Sequence, residues 1–181
     1  MKRLAIAIVV LGSSLTALVA QQAGVGAPAP NPGAVPARLT LAQRIAHTDP
    51  SRFRPSPSVH GGPGSLNYFA LFGGDALDTN LWFLHRGVIQ PKSGIGQHFH
   101  NYCEEMFVIL DGEAQFTIDG RTSLLKGPAG APARMGHSHA IYNATDQPVQ
   151  WMNINVTAFR GMYDAFDLSD GRVGAPLDPD P

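Results

Sequence analysis

The sequence predicts an all-β fold, a small sandwich or barrel, for most of this 181-residue chain. From Leu66 onward, short runs rich in aromatic and β-branched residues recur at regular intervals, each bounded by Gly, Pro, Asn or Asp. This spacing is typical of strands in all-β domains. No long amphipathic helical period follows Ala46, no repeat of fixed length recurs, and no glycine-rich phosphate loop opens a helix. The pattern therefore excludes nucleotide-binding and solenoid folds.

Two turns between the predicted strands are clearly marked. Asp111-Gly112 and Asp119-Gly120 each lie between β-rich runs and supply the residue types that tolerate a positive φ, so both predict hairpins. Residues 39–46 predict one short helix, whereas residues 51–64, rich in Pro, Gly and Ser, predict no regular element. The predicted strands are residues 66–72, 81–90, 96–100, 105–110, 114–118, 121–125, 139–142 and 149–156.

The first twenty residues have the features of a secretory signal peptide. Met1, Lys2 and Arg3 give a positive start, and an apolar stretch follows to Ala20, ahead of a fair cleavage site. A membrane anchor is the competing interpretation, but the stretch is short, is interrupted by small polar residues and has no stop-transfer flank. We therefore expect a secreted or periplasmic protein that has no membrane contact after cleavage.

The rest of the chain predicts one domain with extensions. Residues 21–38 are mostly Ala, Gly, Pro and Val, cannot bury enough side chain to offset the entropy of ordering, and predict a flexible linker. The remaining roughly 140 residues have the size of a single domain. They divide into an N-terminal arm at 39–65, a β-barrel at 66–160 and a C-terminal tail at 161–181. The single cysteine, Cys103, excludes an intramolecular disulfide.

Charge and composition exclude nucleic acid as an expected partner. The formal net charge is -1, and the sequence has no cluster of Lys and Arg and no basic stripe interleaved with aromatics. The expected partners are a small-molecule or carbohydrate substrate and a second copy of the chain. Small barrels pair through edge strands, and the run at residues 66–72 is the candidate edge for a homodimer.

Two histidines and a glutamate predict a metal site. His98 and His100 are two apart on a predicted strand, so both imidazoles point to the same side of the sheet and form a chelate. Glu105 opens the next strand, and alternation places its carboxylate on the same face as the apolar residues that follow at two-residue intervals. Glu104 is the rival ligand by position, but the same alternation sends it outward.

A third histidine completes the predicted ligand set. His139 lies in a short β-rich run that starts three residues after Gly136, and His137 is its competitor. A lone histidine on a strand is more often a core or surface residue than a ligand. The histidine pair already present in this chain favours ligation by His139.

The stretch from residue 98 to residue 143 resembles the two motifs of the cupin superfamily. The first motif joins His-x-His, after three or four intervening residues, to a Glu and then to a Gly seven positions later. The second joins a Gly, a His three positions later and an Asn four beyond. Two positions depart from the motifs: a usual glycine is Lys92 and a usual proline is Arg134. The matching residues are His98, His100, Glu105, Gly112, Gly136, His139 and Asn143.

The resemblance implies a double-stranded β-helix, the jelly-roll barrel of cupins, with a short N-terminal extension. It also implies one divalent metal ion per chain, held by His98, His100, Glu105 and His139. Three imidazoles and one carboxylate leave coordination positions open, as in catalytic rather than structural sites. Mixed nitrogen and oxygen ligation favours Fe, Mn or Cu, with Zn or Ni as alternatives.

Cupins carry many functions, so the function is a hypothesis with alternatives. We expect a metal-dependent oxidoreductase of the dioxygenase or oxidase type acting on a small organic or carbohydrate substrate. The alternatives are a non-redox sugar isomerase or lyase and a non-catalytic metal- or sugar-binding module. Candidate catalytic residues are Arg134, which would place a cation near the metal if it turned inward, and Tyr102 and His137, which could contact substrate or move a proton. Of His85 and Arg86, alternation allows only one to face the interior.

Overall fold

The computed structural model describes residues 40–168, where eleven strands form two antiparallel sheets. The predicted signal peptide, the predicted linker and residues 169–181 of the predicted tail lie outside the described residues. In chain order the strands are β1 (Arg54–Pro57), β2 (Ser65–Gly73), β3 (Leu81–Ile89), β4 (Gly94–Phe99), β5 (Cys103–Asp111), β6 (Glu113–Ile118), β7 (Arg121–Lys126), β8 (Ala129–Ala133), β9 (His139–Tyr142), β10 (Val149–Thr157) and β11 (Phe166–Asp167).

The chain passes repeatedly between the two sheets. One sheet has the order β1-β2-β3-β10-β5-β8, and the other has the order β11-β4-β9-β6-β7. Strands β3 and β4, β4 and β5, and β5 and β6 are consecutive in the chain but lie in different sheets. This arrangement is the jelly-roll barrel that the sequence predicted.

Alternation along the strands builds the core between the sheets. On β5, Glu105, Phe107 and Ile109 are buried whereas Glu104 is exposed, as the sequence predicted. Neighbouring β10 turns Trp151 to the same interior, where it is 1% exposed. The apolar core that results is Leu66, Ile89, Ile95, Phe107, Ile109, Ala114, Phe116, Ala133, Ile141, Val149 and Trp151.

Helical structure in the described residues is confined to three short segments before β2. Helix α1 (Leu41–Arg44) begins at a capping box in which Thr40 and Gln43 bond each other's backbone amides. It is shorter than the predicted helix because Ile45 is extended. Two 3-10 helices follow, at Pro50–Arg52 and Val59–Gly61. No described helix is long and apolar enough to cross a membrane.

All eight predicted strands are present, with shifts of one or two residues at their ends, but one predicted hairpin is wrong. Asp119 and Gly120 have φ of 48° and 79° and close the β6–β7 hairpin, which confirms that prediction. Asp111-Gly112 instead connects β5 to β6, which belong to different sheets. Gly112 has the positive φ that the sequence predicted, 89°, but the turn joins strands of two different sheets instead of closing a hairpin.

The strand proposed as a dimer edge is also an interior strand. Strand β2, which contains residues 66–72, pairs with β1 on one side and with β3 on the other. The sequence missed β1 because two of its four residues are proline, which cannot donate to the ladder and is typical of an edge. The edges within the described residues are β1, β8, β11 and β7. The homodimer itself stays a prediction.

Candidate metal centre

Four buried side chains meet between the two sheets. His98 lies on β4, His100 directly follows that strand, Glu105 lies on β5 and His139 begins β9. The register of β4 and β9 places His98 opposite His139. One potential ligand atom from each of the four lies within 4.8 Å of the others, and each residue is at most 5% exposed. The structure thus brings together the four residues that the sequence singled out.

The hydrogen bonds of the three imidazoles leave their inner nitrogens available. Nδ1 of His98 lies 2.8 Å from the Gly96 carbonyl, and Nδ1 of His139 lies 3.2 Å from the His137 carbonyl. Nδ1 of His100 bonds the Asp164 carbonyl in the same way. Because a carbonyl only accepts, each Nδ1 carries a proton and donates it, so Nε2 is the ring nitrogen left to ligate a metal in the Nδ1–H tautomer. This is the tautomer that a metal-binding histidine uses.

Two of these inner nitrogens have no hydrogen-bond partner, and this observation indicates whether a metal fits the site. Nε2 of His100 and Nε2 of His139 are buried without a hydrogen bond. They lie 3.6 Å and 3.5 Å from Oε1 and Oε2 of Glu105. Buried polar atoms are rarely left unpaired in native proteins, because each costs free energy. The residues therefore fit a cation at this point.

Glu105 is held in position by two asparagines of β10. Nδ2 of Asn153 donates to Oε2 at 3.1 Å, and Nδ2 of Asn155 donates to Oε1 at 3.0 Å. The sequence analysis did not name either residue. Their signal was present in the alternation of β10, because Asn153 and Asn155 follow the apolar Trp151 on its buried face.

Burial and neighbouring groups set the protonation of the cluster. Burial, with smaller contributions from His139 and His60, lowers the pKa of His98 to about 2. Burial also lowers the pKa of His100. Burial alone would raise the pKa of Glu105, but His139, His98 and the Asn155 amide outweigh it and lower that pKa to about 2. Neutral imidazoles beside an ionised carboxylate are the forms that ligate metals.

The motif residues outside the cluster shape its loops. Gly136 has φ 77°, and its amide donates to the His100 carbonyl at 2.7 Å, which ties the two motifs together. Lys92, at a position where the cupin motif usually has glycine, has φ 53°, a left-handed conformation that favours glycine. Asn143 is fully buried, and its Nδ2 contacts the carbonyls of Ile89 and Gln90, so its role is structural.

A further histidine that the sequence analysis missed stacks on the cluster. The His60 ring lies 3.8 Å from the His98 ring at an angle of 9°, and its Nδ1 is 2.5 Å from Asp167 Oδ1. His60 belongs to the 3-10 helix Val59–Gly61, in a segment for which the sequence predicted no regular structure. Gly96 permits this contact, since a Cβ there would lie 1.9 Å from the His60 carbonyl.

A small pocket of about 90 Å³ opens beside the cluster. His98 and Glu105 form part of its wall, and the strand β3 contributes His85. Arg86 points the other way and donates to Gln150 Oε1 at 2.6 Å, which settles the choice that the sequence left open between them. The remaining lining residues are Val59, His60, Leu66, Tyr68, Phe83, Ile95, Trp151, Asn153 and Tyr163.

The three candidate catalytic residues lie elsewhere. The Arg134 side chain is 80% exposed and sits 4.0 Å from Glu104, so it does not turn inward. His137 bonds Asp119 at 2.6 Å on the surface, and Tyr102 is 45% exposed. None of the three lines the pocket. Glu104 and His137, the rival ligands, are likewise outside the buried cluster.

Comparison with known proteins supports the fold. Residues 85–155 match the family model of the cupin domain. A curated relative from Thermotoga maritima, named oxalate-binding protein, is 25% identical over 97 residues, which cover 54% of this chain and 80% of the relative. Another, named polyketide synthase CurC, from Streptomyces cyaneus, is 26% identical over 65 residues, which cover 36% of this chain. The chain spans less than half of that second relative, 42% of its length.

Solved structures agree with the barrel. The crystal structure of a predicted oxalate decarboxylase from Thermotoga maritima superposes with a TM-score of 0.57 and 23% identity, over 62% of this chain and 98% of that one. A cupin 2 conserved barrel domain protein from Salinispora arenicola gives a TM-score of 0.51 and 18% identity, over 63% and 88% of the two chains. At these identities the likeness concerns the fold alone.

Proposed function

We propose that this chain, whose residues 85–155 match the family model of the cupin domain, binds one divalent metal ion through His98, His100, Glu105 and His139. The convergence of three imidazoles and one carboxylate at one buried point is the observation that carries the proposal. With a divalent ion this set has a net charge of +1 and leaves coordination positions open. An open position beside a pocket suits catalysis better than a purely structural role.

The activity that we propose is that of an oxidoreductase, of the dioxygenase or oxidase type, acting on a small organic substrate. A bound iron, manganese or copper ion would supply an electron-transfer centre with an open position. Aromatic residues line the pocket beside that point, and the asparagines fix the Glu105 carboxylate. We also propose export of the protein, on the basis of the positive start and apolar stretch of its first twenty residues.

A non-redox lyase or isomerase is the second candidate, and one side chain favours it. His85 lines the pocket and has no hydrogen-bond partner among the described residues. Burial lowers its pKa to about 4, so at neutral pH the imidazole is uncharged and one ring nitrogen can accept a hydrogen bond from a substrate. The names of two relatives, an oxalate-binding protein and a predicted oxalate decarboxylase, are consistent with such chemistry or with binding without turnover.

Metal analysis followed by oxygen uptake tests the proposal. We expect about one metal per chain in the wild type, loss of metal in His98→Ala, and no loss in His47→Ala, whose side chain is exposed in the arm. Thermal unfolding of both variants checks that they fold. Oxygen consumption with small phenols, carboxylates or sugars in the iron, manganese or copper form would support the oxidoreductase. Product formation with zinc and without oxygen would instead support the lyase or isomerase, and a wild type that binds no metal would refute both.

A further inference from the structure

The walls of the pocket are built from aromatic rings. Phe83 and His85 stack with ring centroids 3.8 Å apart and an angle of 3°, and the Tyr68 ring lies 4.8 Å from His85. Trp151 meets Tyr68 edge-on at 6.0 Å. Gly87 makes room for this arrangement, because a Cβ at that position would lie 2.4 Å from Tyr68 Cβ. Flat walls of this kind favour a flat ligand that stacks or meets ring edges.

The charge of the pocket is low. Glu105 is the only acidic residue among the described lining residues, and none of them is Lys or Arg. A divalent ion and Glu105 together give +1. A dicarboxylate dianion would turn this into a net negative charge in a buried space without a cation to balance it, which is costly. With an uncharged ligand the net charge of the ion, Glu105 and the ligand stays near +1. If the ligand loses one proton on binding, this net charge becomes zero.

Unpaired polar atoms show which groups the ligand would carry. Nε1 of Trp151 and Oδ1 of Asn153 are buried and have no hydrogen-bond partner. Both residues line the pocket and are at most 4% exposed. Together with the unpartnered His85, they offer a donor, an acceptor and a group that can be either. Hydroxyl or carbonyl oxygens would satisfy them.

From these three observations we propose that the pocket binds a small, flat, uncharged molecule with neighbouring hydroxyl or carbonyl oxygens, in preference to a small dicarboxylate. This proposal rests on the proposed metal site, since the oxygens would face the ion as well as the protein groups. The pocket volume is about 90 Å³, so only a small molecule, or one end of a larger one, enters it.

Calorimetric titration of the zinc-loaded protein with catechol and with oxalate tests this preference. Zinc is redox-inert, so binding is measured without turnover. We expect catechol to bind at least roughly tenfold more tightly than oxalate. In Phe83→Leu and His85→Ala, catechol binding should weaken by roughly fivefold or more while zinc content stays at the wild-type level. The matched control is His47→Ala, which should bind catechol like the wild type.

The outcomes separate this inference from the proposed function. Zinc bound at one per chain with oxalate binding as tightly as catechol, or more tightly, would overturn the ligand preference and leave the metal site intact. Unchanged catechol binding in both pocket variants would show that catechol binds elsewhere and would also overturn it. If the wild type takes up no zinc, iron, manganese or copper, the proposed function fails and this inference fails with it.

Discussion

Asn155 lies directly opposite Glu105 on the neighbouring strand, and its side-chain amide donates a 3.0 Å hydrogen bond to Glu105 Oε1. The contact fixes one carboxylate oxygen, while Asn153 fixes the other. The amide nitrogen of each asparagine is occupied by its hydrogen bond to the carboxylate. The pair therefore positions Glu105, and the strand register between β5 and β10 contributes to the proposed metal site.

Replacement of Asn155 tests this positioning role. We expect Asn155→Ala to lower zinc affinity by about 10- to 100-fold, because partners that orient a ligand typically contribute that much. Competition with a chromophoric chelator measures the affinity. Asn67→Ala is the control, since Asn67 lies on β2 outside the pocket lining. Equal affinities in the wild type and Asn155→Ala would show that Glu105 needs no such support.

The close approach of His60 to β4 depends on Gly96. A Cβ at this position would lie 1.9 Å from the His60 carbonyl and 2.7 Å from the Gly62 amide nitrogen, both of them backbone atoms. We expect Gly96→Ala to destabilise the protein by about 2 kcal/mol or more, since the 3-10 helix must move. Urea unfolding measures the loss.

Gly130→Ala is the matched control for that change. A Cβ at residue 130 would meet its nearest neighbour, the Phe107 carbonyl, at 3.7 Å, which is an ordinary contact. We expect a change within about 0.5 kcal/mol. If Gly96→Ala were as stable as Gly130→Ala, the packing of His60 against His98 would not be a fixed feature of the fold.

Sequence reasoning succeeded where side-chain periodicity decides structure. The alternation of Glu105, Phe107 and Ile109 predicted which glutamate faces inward, and the spacing of His98 and His100 predicted that both imidazoles share a face. These predictions depend on local geometry alone, because a strand has a period of two. The eight predicted strands follow from the same signal.

The failures arise where tertiary contacts decide. Strand β1 carries two prolines and β11 has two residues, so neither has a local strand signal, and both are held by pairing with a neighbour. His60 reaches the cluster through a backbone with φ 49° and a bond to Asp167, which lies 107 residues away. Arg134 had no local feature that could show whether it would face the pocket or Glu104.

The partly buried imidazole of His85 predicts a pH dependence of stability in the metal-free protein. Burial lowers its pKa from 6.5 to about 4. The unfolded chain therefore binds a proton more readily, so the contribution of His85 is fully present above pH 6.5 and is lost as the pH falls towards 4. After allowance for its partial exposure we expect a loss of about 2 kcal/mol over this range.

His85→Gln isolates that contribution, because glutamine does not titrate. Urea unfolding at several pH values between 4 and 7, with a chelator present, should give a shallower dependence for the variant than for the wild type. His47→Gln, which alters an exposed histidine, should retain the wild-type slope. Parallel profiles for all three proteins would mean that His85 is solvated in solution and that the pocket is wetter than this geometry implies.

Asp164 connects the C-terminal part of the described chain to the metal site. Its carboxylate accepts hydrogen bonds from the amides of Asn101 at 2.9 Å and Tyr102 at 3.0 Å, and its carbonyl accepts from Nδ1 of His100. Asp164→Ala removes the two carboxylate bonds, which should cost about 1 to 2 kcal/mol in urea unfolding. The substitution should also loosen the carbonyl of residue 164, which lowers zinc affinity because His100 loses its fixed orientation.

Asp146→Ala is the control, because it removes only an exposed ion pair with Lys92 at 3.1 Å. It should change neither the free energy of unfolding nor the zinc affinity. A similar effect in both variants would contradict the positioning role of Asp164.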